Sequence, residues 1–180
     1  MILGCVLAGG QSTRFGSDKA LAELGGDTLL ARAVAALSRC CAHVVVVGRD
    51  AAPAPVLPDY PRGGMGPLGG IAAALRHASD NGFDAVLTCG VDSPGLPGDL
   101  LAALSPAPSF VEGQPVIGLW PASAAPVVAE ILAGDGKHSL RALAERLGAR
   151  AVRLAAEPAN INTLADLKKL SAALEHRHGL

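Results

Sequence analysis

Solid apolar runs alternate along this chain with segments of helical period. ILGCVL at residues 2–7, HVVVV at 43–47 and DAVLTCG at 84–90 lack polar alternation, so they read as strands buried on both faces. Between them, TLLARAVAALSR (28–39) puts Leu29, Ala33, Ala36 and Leu37 at helical spacing, with Arg32 and Arg39 outward. GPLGGIAAALRHASD (66–80) reads as a helix that keeps Pro67 in its first turn, where a missing N–H is harmless. PGDLLAAL (97–104) follows as another helix. This β-α-β-α-β order predicts an α/β fold, a mostly parallel central sheet with helices on both faces.

Beyond residue 105 the pattern loosens. QPVIGLW (114–120) reads as a strand, and SAAPVVAEILAG (123–134) as a helix started or interrupted at Pro126. HSLRALAERLG (138–148) is a helix stopped by Gly148, RAVRLA (150–155) a late strand, and TLADLKKLSAALEHR (163–177) a final amphipathic helix. With no repeat, low-complexity tract or linker, the 180 residues are expected to form one domain spanning 1–180.

Composition narrows the classes of partner. Half the residues are hydrophobic and 17% charged, which argues for a packed core and against disorder. A net charge of −1 gives no general electrostatic reason to bind nucleic acid or a membrane, so any anion site must be local. Charge, Pro or Gly interrupts every apolar run before it reaches the length of a membrane span. The amino terminus lacks a basic leader, and Cys5, Cys40, Cys41 and Cys89 form no C-x-x-C pair. Cys5 and Cys89 read as small buried hydrophobes and Cys40–Cys41 as two thiols at a helix end. A reducing, cytoplasmic compartment is expected.

The candidate chemistry lies in the loops that follow the strands, where ligands bind in open parallel sheets. The first, LAGGQSTRFGSDK (7–19), holds Gly9, Gly10 and Gly16 with Arg14 and Lys19: backbone amides free to approach an anion, beside two cations. It matches neither G-x-x-x-x-G-K-[ST] nor G-x-G-x-x-G. The third, CGVDSPGLP, sets Asp92 just past a buried strand, where a carboxylate either opens a turn or holds Mg²⁺ on nucleotide phosphates. The middle loop, LPDYPRGGMGPLGG, carries Asp59 and Arg62, and its Gly66 and Gly70 allow close approach of a ligand or of neighbouring backbone. Finally, PANINTLADL places Asn160 and Asn162 before the last helix, with Thr163 and Asp166 spaced as an acidic capping box. Capping leaves the two alternating amides without a role.

Taken in order, LAGGQSTRFGSDKAL, GPLGGI, CGVDSPGLP, QPVIGLWP and NINTLADL resemble the molybdenum cofactor guanylyltransferases of the MobA type, across nearly the whole chain. The resemblance implies a Rossmann-like nucleotidyltransferase fold. It also implies transfer of GMP from Mg·GTP to the terminal phosphate of molybdopterin-bound molybdenum, with release of pyrophosphate. By the same resemblance Leu7, Ala8, Gly9, Gly10 and Lys19 hold GTP and Arg14 lies near its phosphates. Asp59 contacts the nucleotide, and Asp92 binds magnesium and nucleotide phosphate. Gly66, Gly70, Asn160 and Asn162 match positions on the pterin side and in catalysis. Transient contact with cofactor-donating proteins and molybdoenzymes is implied too. The sequence departs from the family in the short FGSDK loop and in PA before NINT, where aromatic residues are common. Rival readings are a molybdopterin cytidylyltransferase, a sugar-phosphate nucleotidyltransferase, and a non-catalytic nucleotide or pterin carrier.

Overall fold

Alternation of side chains across each strand is what builds the two cores. The computed structural model describes residues 1–10, 15–16 and 18–178. Its seven-stranded sheet runs in the order β5 (Val56–Leu57), β4 (His43–Val47), β1 (Ile2–Leu7), β6 (Ala85–Gly90), β8 (Gln114–Pro121), β7 (Ser109–Val111), β9 (Arg150–Val152). Leu3, Cys5, Leu7, Val45, Val47, Val86 and Trp120 face one side of the sheet. There they meet α2 (Gly66–Asp80), α4 (Ala125–Ala133) and α5 (Leu140–Leu147). Val6, Val44, Val46, Leu87, Cys89, Ile117 and Leu119 face the other, against α1 (Leu29–Ser38) and α3 (Leu100–Leu104). Strands buried on both faces are the reason the sequence shows unbroken apolar runs.

Strand direction decides what reaches each edge. β1 pairs in parallel with β4 and β6, and β4 with β5. β8 is antiparallel to both β6 and β7, while β7 and β9 are parallel. The other six strands therefore leave the sheet at one edge, and β8 enters at that same edge. Trp120, on β8, is fully buried, and its indole N–H donates to the Thr88 hydroxyl on β6 at 3.1 Å. Thr88 in turn donates to the Val116 carbonyl at 2.7 Å, so the polar atoms of this otherwise apolar layer are satisfied.

The expected helices form with altered ends. Thr28 is the N-cap of α1, its hydroxyl accepting from the Ala31 N–H at 3.1 Å. α2 spans the full predicted 66–80. The helix expected at 97–104 begins only at Leu100, after a turn in which the Leu100 N–H donates to the Pro97 carbonyl. The one expected at 123–134 begins at Ala125, behind a 3-10 turn over Ala122–Ala124. Gly148 ends α5 at φ 62°, a left-handed conformation suited to glycine. The late strand shortens to Arg150–Val152. Absent from the expectation were β5, β7 and a hairpin of β2 (Glu23–Leu24) and β3 (Asp27–Thr28), each too short to show a period.

The last helix, α6 (Leu164–His178), packs its Leu167, Leu170 and Leu174 on a small separate cluster of Phe15, Leu24, Leu29 and Ile161. Its capping box closes as expected. The Thr163 N–H donates to Asp166 Oδ2 at 2.8 Å, and the Asp166 N–H to Thr163 Oγ1 at 3.2 Å. Cys5 and Cys89 are buried, and burial pushes the Cys5 thiol up to about 12 and the Cys89 thiol well above its ordinary value. Cys40 and Cys41 are free thiols just after α1, with their sulfurs 3.9 Å apart.

Candidate active site

The carboxyl edge of the sheet opens on a cavity of about 890 Å³. The exit of β1 supplies Leu7, Ala8, Gly9 and Gly10, and the exit of β6 supplies Gly90, Val91 and Asp92. The middle loop and the start of α2 add Asp59, Gly64, Gly66, Pro67 and Gly70. Lys19 and Asn162 complete the set of expected residues that meet here. Arg14 lies outside the described residues. Gly16 and Arg62 are exposed and are not among the lining residues.

Glycine supplies seven of the twenty described residues of this wall. Gly48, at φ 80°, presses against Gly9 so closely that an added Cβ would lie 2.5 Å from the Gly9 Cα. The Ala8 N–H donates to the Val47 carbonyl at 3.0 Å, which holds the two strand exits side by side. Gly70 lines the cavity and has a packing role as well. A Cβ there would meet Val47 Cγ2 at 2.6 Å and Leu7 Cδ2 at 3.0 Å, so its bareness lets α2 settle onto strand side chains rather than onto neighbouring backbone. Met65, at the amino end of α2, offers no side-chain cap. Gly66 and Pro67 line the cavity, so the positive end of this fifteen-residue helix lies at the rim, a natural seat for phosphate.

Charge enters from two loops and meets. Lys19 Nζ lies 3.4 Å from Asp92 Oδ2, with the lysine side chain 13% exposed and the aspartate 32%. Asp92 folds back over Gly90, where a Cβ would sit 2.3 Å from Oδ1; only glycine leaves room for the carboxylate in this pose. The Ile161 N–H donates to the Asp92 carbonyl at 2.8 Å and so binds the NINT segment to the Asp92 loop. Ile161 is buried, while Asn160 and Asn162 on either side of it are exposed. Alternation around one anchored side chain is what keeps both amides in solvent at the rim.

Asn160 does not join Asn162. It lines an adjoining cavity of about 520 Å³, which shares Pro67, Asp92 and Val116 with the first. Its further polar lining is Ser93, Gln114 at the start of β8, and His138, Ser139 and Arg141 at the start of α5. Gln114 accepts from Ser93 Oγ at 2.8 Å and donates to the Pro158 carbonyl at 2.6 Å, tying three loops together.

Sequence reasoning missed Asp18, Gly48, Arg49, Gly90, Gln114, His138 and Arg141. The first four were within reach. GRD at 48–50 follows a buried strand just as the chosen loops do, and Asp18 and Gly90 each stand within two residues of a chosen one. Gln114 carries no local signal, because only the reversed direction of β8 brings that strand's start to this edge, and His138 and Arg141 come from the start of α5, which follows no strand exit.

Among the described residues, no group of three or more His, Cys, Asp or Glu is arranged to hold a metal by itself. That suits a magnesium ion that arrives on a triphosphate, since such ions use one or two protein carboxylates and take other ligands from phosphate and water. Asp92 is accessible for that role, and Asp59 lines the same cavity.

Comparison with known proteins gives the same picture. Residues 4–158 match the family model of the MobA-like NTP transferase domain. The chain is 38% identical to a molybdenum cofactor guanylyltransferase of Acidiphilium cryptum, over 93% of this chain and 92% of that protein. It is 37% identical to one from Rhodobacter capsulatus, over 93% and 94% respectively. In fold it is similar to the molybdopterin-guanine dinucleotide biosynthesis protein A of Archaeoglobus fulgidus, with a TM-score of 0.72 and 23% identity over 97% of this chain and 99% of that one. It is also similar to the 2-C-methyl-D-erythritol 4-phosphate cytidylyltransferase of Thermus thermophilus, with a TM-score of 0.65 and 20% identity over 95% and 98%. With glycine-built strand exits, a lysine paired to a carboxylate and an in-order match over most of its length, this chain belongs to the MobA-like NTP transferases, among the molybdenum cofactor guanylyltransferases.

Proposed function

We propose that the chain transfers GMP from Mg·GTP to the terminal phosphate of molybdopterin-bound molybdenum cofactor and releases pyrophosphate. GTP occupies the larger cavity and the acceptor the adjoining one. The observation that carries this reading is the approach of Lys19 to Asp92, 3.4 Å, at the charged residue that both cavities share. It joins the first and third loops over a single position, where an α-phosphorus would lie between two anionic partners.

The acceptor phosphate is already an anion at neutral pH, so it attacks without a strong general base. What the site must supply is positioning and neutralisation of the charge that grows on the leaving pyrophosphate. Lys19, the amides of Gly9 and Gly10 and the amino end of α2 serve the phosphates. Asp92, aided by Asp59, would hold Mg²⁺, which when bound neutralises phosphate charge. Lys19 and Asp92 lie within reach of each other, so with substrate bound each would turn to a phosphate or to the metal. Asn162 faces the nucleotide, while Asn160, Gln114, His138 and Arg141 face the acceptor. This reading sets the chain in the cytoplasm, in passing contact with proteins that donate the cofactor and with molybdoenzymes that receive it.

Single-turnover incubation of the purified chain with labelled GTP, Mg²⁺ and molybdopterin-bound molybdenum tests it. A labelled dinucleotide with stoichiometric pyrophosphate is expected, and GTP should outcompete ATP, CTP and UTP. Preference for CTP would move the chain to cytidylyl transfer. Tight GTP binding without pyrophosphate would make it a carrier.

A further inference from the structure

Among its described residues, the loop that carries Lys19 is pinned at Phe15, buried in the cluster beneath α6, and at Ala20. Lys19 begins a 3-10 turn of three residues, Lys19–Leu21, anchored in the core through Ala20 alone. So short a turn fixes a long side chain poorly. What stiffens it lies across the sheet edge. Arg49 reaches over from the exit of β4 and grips Asp18 with both prongs, Nη1 to Oδ1 at 2.9 Å and Nη2 to Oδ2 at 2.6 Å. Asp18 is also the N-cap of the turn, and Oδ1 accepts from the Ala20 N–H at 3.1 Å.

Arg49 is itself firmly based. It follows Gly48, whose Cα is pressed against Gly9, so its backbone is fixed to the exit of β1. The result is a closed ring: β1 exit, Gly48, Arg49, Asp18, Lys19, Asp92. As a contribution to stability the pair counts for little, because Asp18 is 44% exposed and exposed ion pairs are weak. A two-pronged, planar contact is instead a device for fixing geometry.

We propose that Arg49 and Asp18 are positioning residues for the nucleotidyl transfer, a clamp that aims the Lys19 ammonium at the nucleotide's phosphates. This rests on the reading above, in which Lys19 serves a triphosphate. Neither residue needs to touch the reacting atoms.

A double-mutant cycle on the full chain decides the matter, with GTP, Mg²⁺ and acceptor and with pyrophosphate release as the readout. Arg49→Ala is expected to lower kcat/KM by about tenfold or more, the scale of misplacing a charged group by a fraction of an ångström. In a Lys19→Ala background the same change should cost almost nothing further, since nothing is left to aim. Arg49→Lys, which keeps charge but only one prong, should fall in between, and it replaces Arg49→Ala in the cycle if that variant does not fold. An Arg49→Ala rate equal to wild type overturns the clamp. So does a full additive loss on the Lys19→Ala background, the mark of a merely structural role. A Lys19→Ala enzyme that matches wild type overturns the assignment of Lys19 to phosphate as well, and that outcome is read before Arg49 is touched.

Discussion

Around the larger cavity seven of the twenty described lining residues are glycine, Gly9, Gly10, Gly48 and Gly66 among them, with Lys19 and Asp92 as its paired charges. Around the smaller one Gly113 is the one glycine among the described lining residues, and Gln114, His138, Arg141 and Asn160 come from a strand start, a helix start and a loop, with Arg141 exposed and paired to Glu145. The first is a product of parallel strands, whose exits crowd together at one edge and need glycine to do so. The second depends on one strand running backwards. A wall of backbone recognises what all triphosphates share. A wall of side chains can be tailored to one acceptor.

That contrast can be broken by substitution. The largest effect is expected at the charged residue common to both cavities: Asp92→Ala should reduce turnover by about 10³-fold, the scale of removing a pre-aimed electrostatic group. Its circular dichroism and melting should stay close to wild type. A purified variant with near wild-type rates in magnesium would separate the chemistry from this rim altogether. Lys19→Ala should cost about 10²-fold in kcat/KM for GTP, and an unchanged value would make it an ordinary surface charge. Gly48→Ala asks whether the backbone wall tolerates any side chain. With a left-handed φ and a contact of 2.5 Å to Gly9, it should destabilise the fold by ~1–3 kcal/mol in chemical denaturation and lower activity together.

On the side-chain wall the outcome should differ in kind. Arg141→Ala is expected to raise the acceptor KM roughly tenfold, as for a lost charged contact, with the GTP KM and the melting temperature unmoved. Equal rises in both KM values would mean that the two cavities do not divide the substrates. The smallest effect concerns acid. The Arg49 guanidinium holds the Asp18 carboxyl below its ordinary range, so the stability it adds is complete above the unfolded value of about 3.9 and fades as pH falls through the lower folded one. The melting-temperature gap between wild type and Asp18→Asn should therefore be constant near neutrality and close below about pH 4.

The two walls also differed in how far they could be read from the chain. Ten of the expected site residues line the larger cavity, because strand exits in a parallel sheet share an edge and because glycine and Asp there have few structural reasons to exist. Asn160 was grouped with Asn162, yet it looks into the neighbouring space; a one-residue step around buried Ile161 decides this, and no composition reveals it. Gln114 was seen only as the first residue of a strand. Its position became meaningful once β8 was found to run against β6, a matter of pairing between residues far apart in sequence. Likewise Asp18 and Arg49 lie 31 positions apart, and their contact is a property of the sheet order, not of either loop.

Trp120 offers a practical consequence. It is the sole tryptophan of the chain, sealed in the layer between sheet and helices and bonded through its indole nitrogen to Thr88. Its emission should be blue-shifted in the native protein and redden only when that layer opens. One intrinsic fluorophore thus reports global melting, deaf to events at the rim, which lets each variant's loss of rate be told apart from loss of structure in the same cuvette.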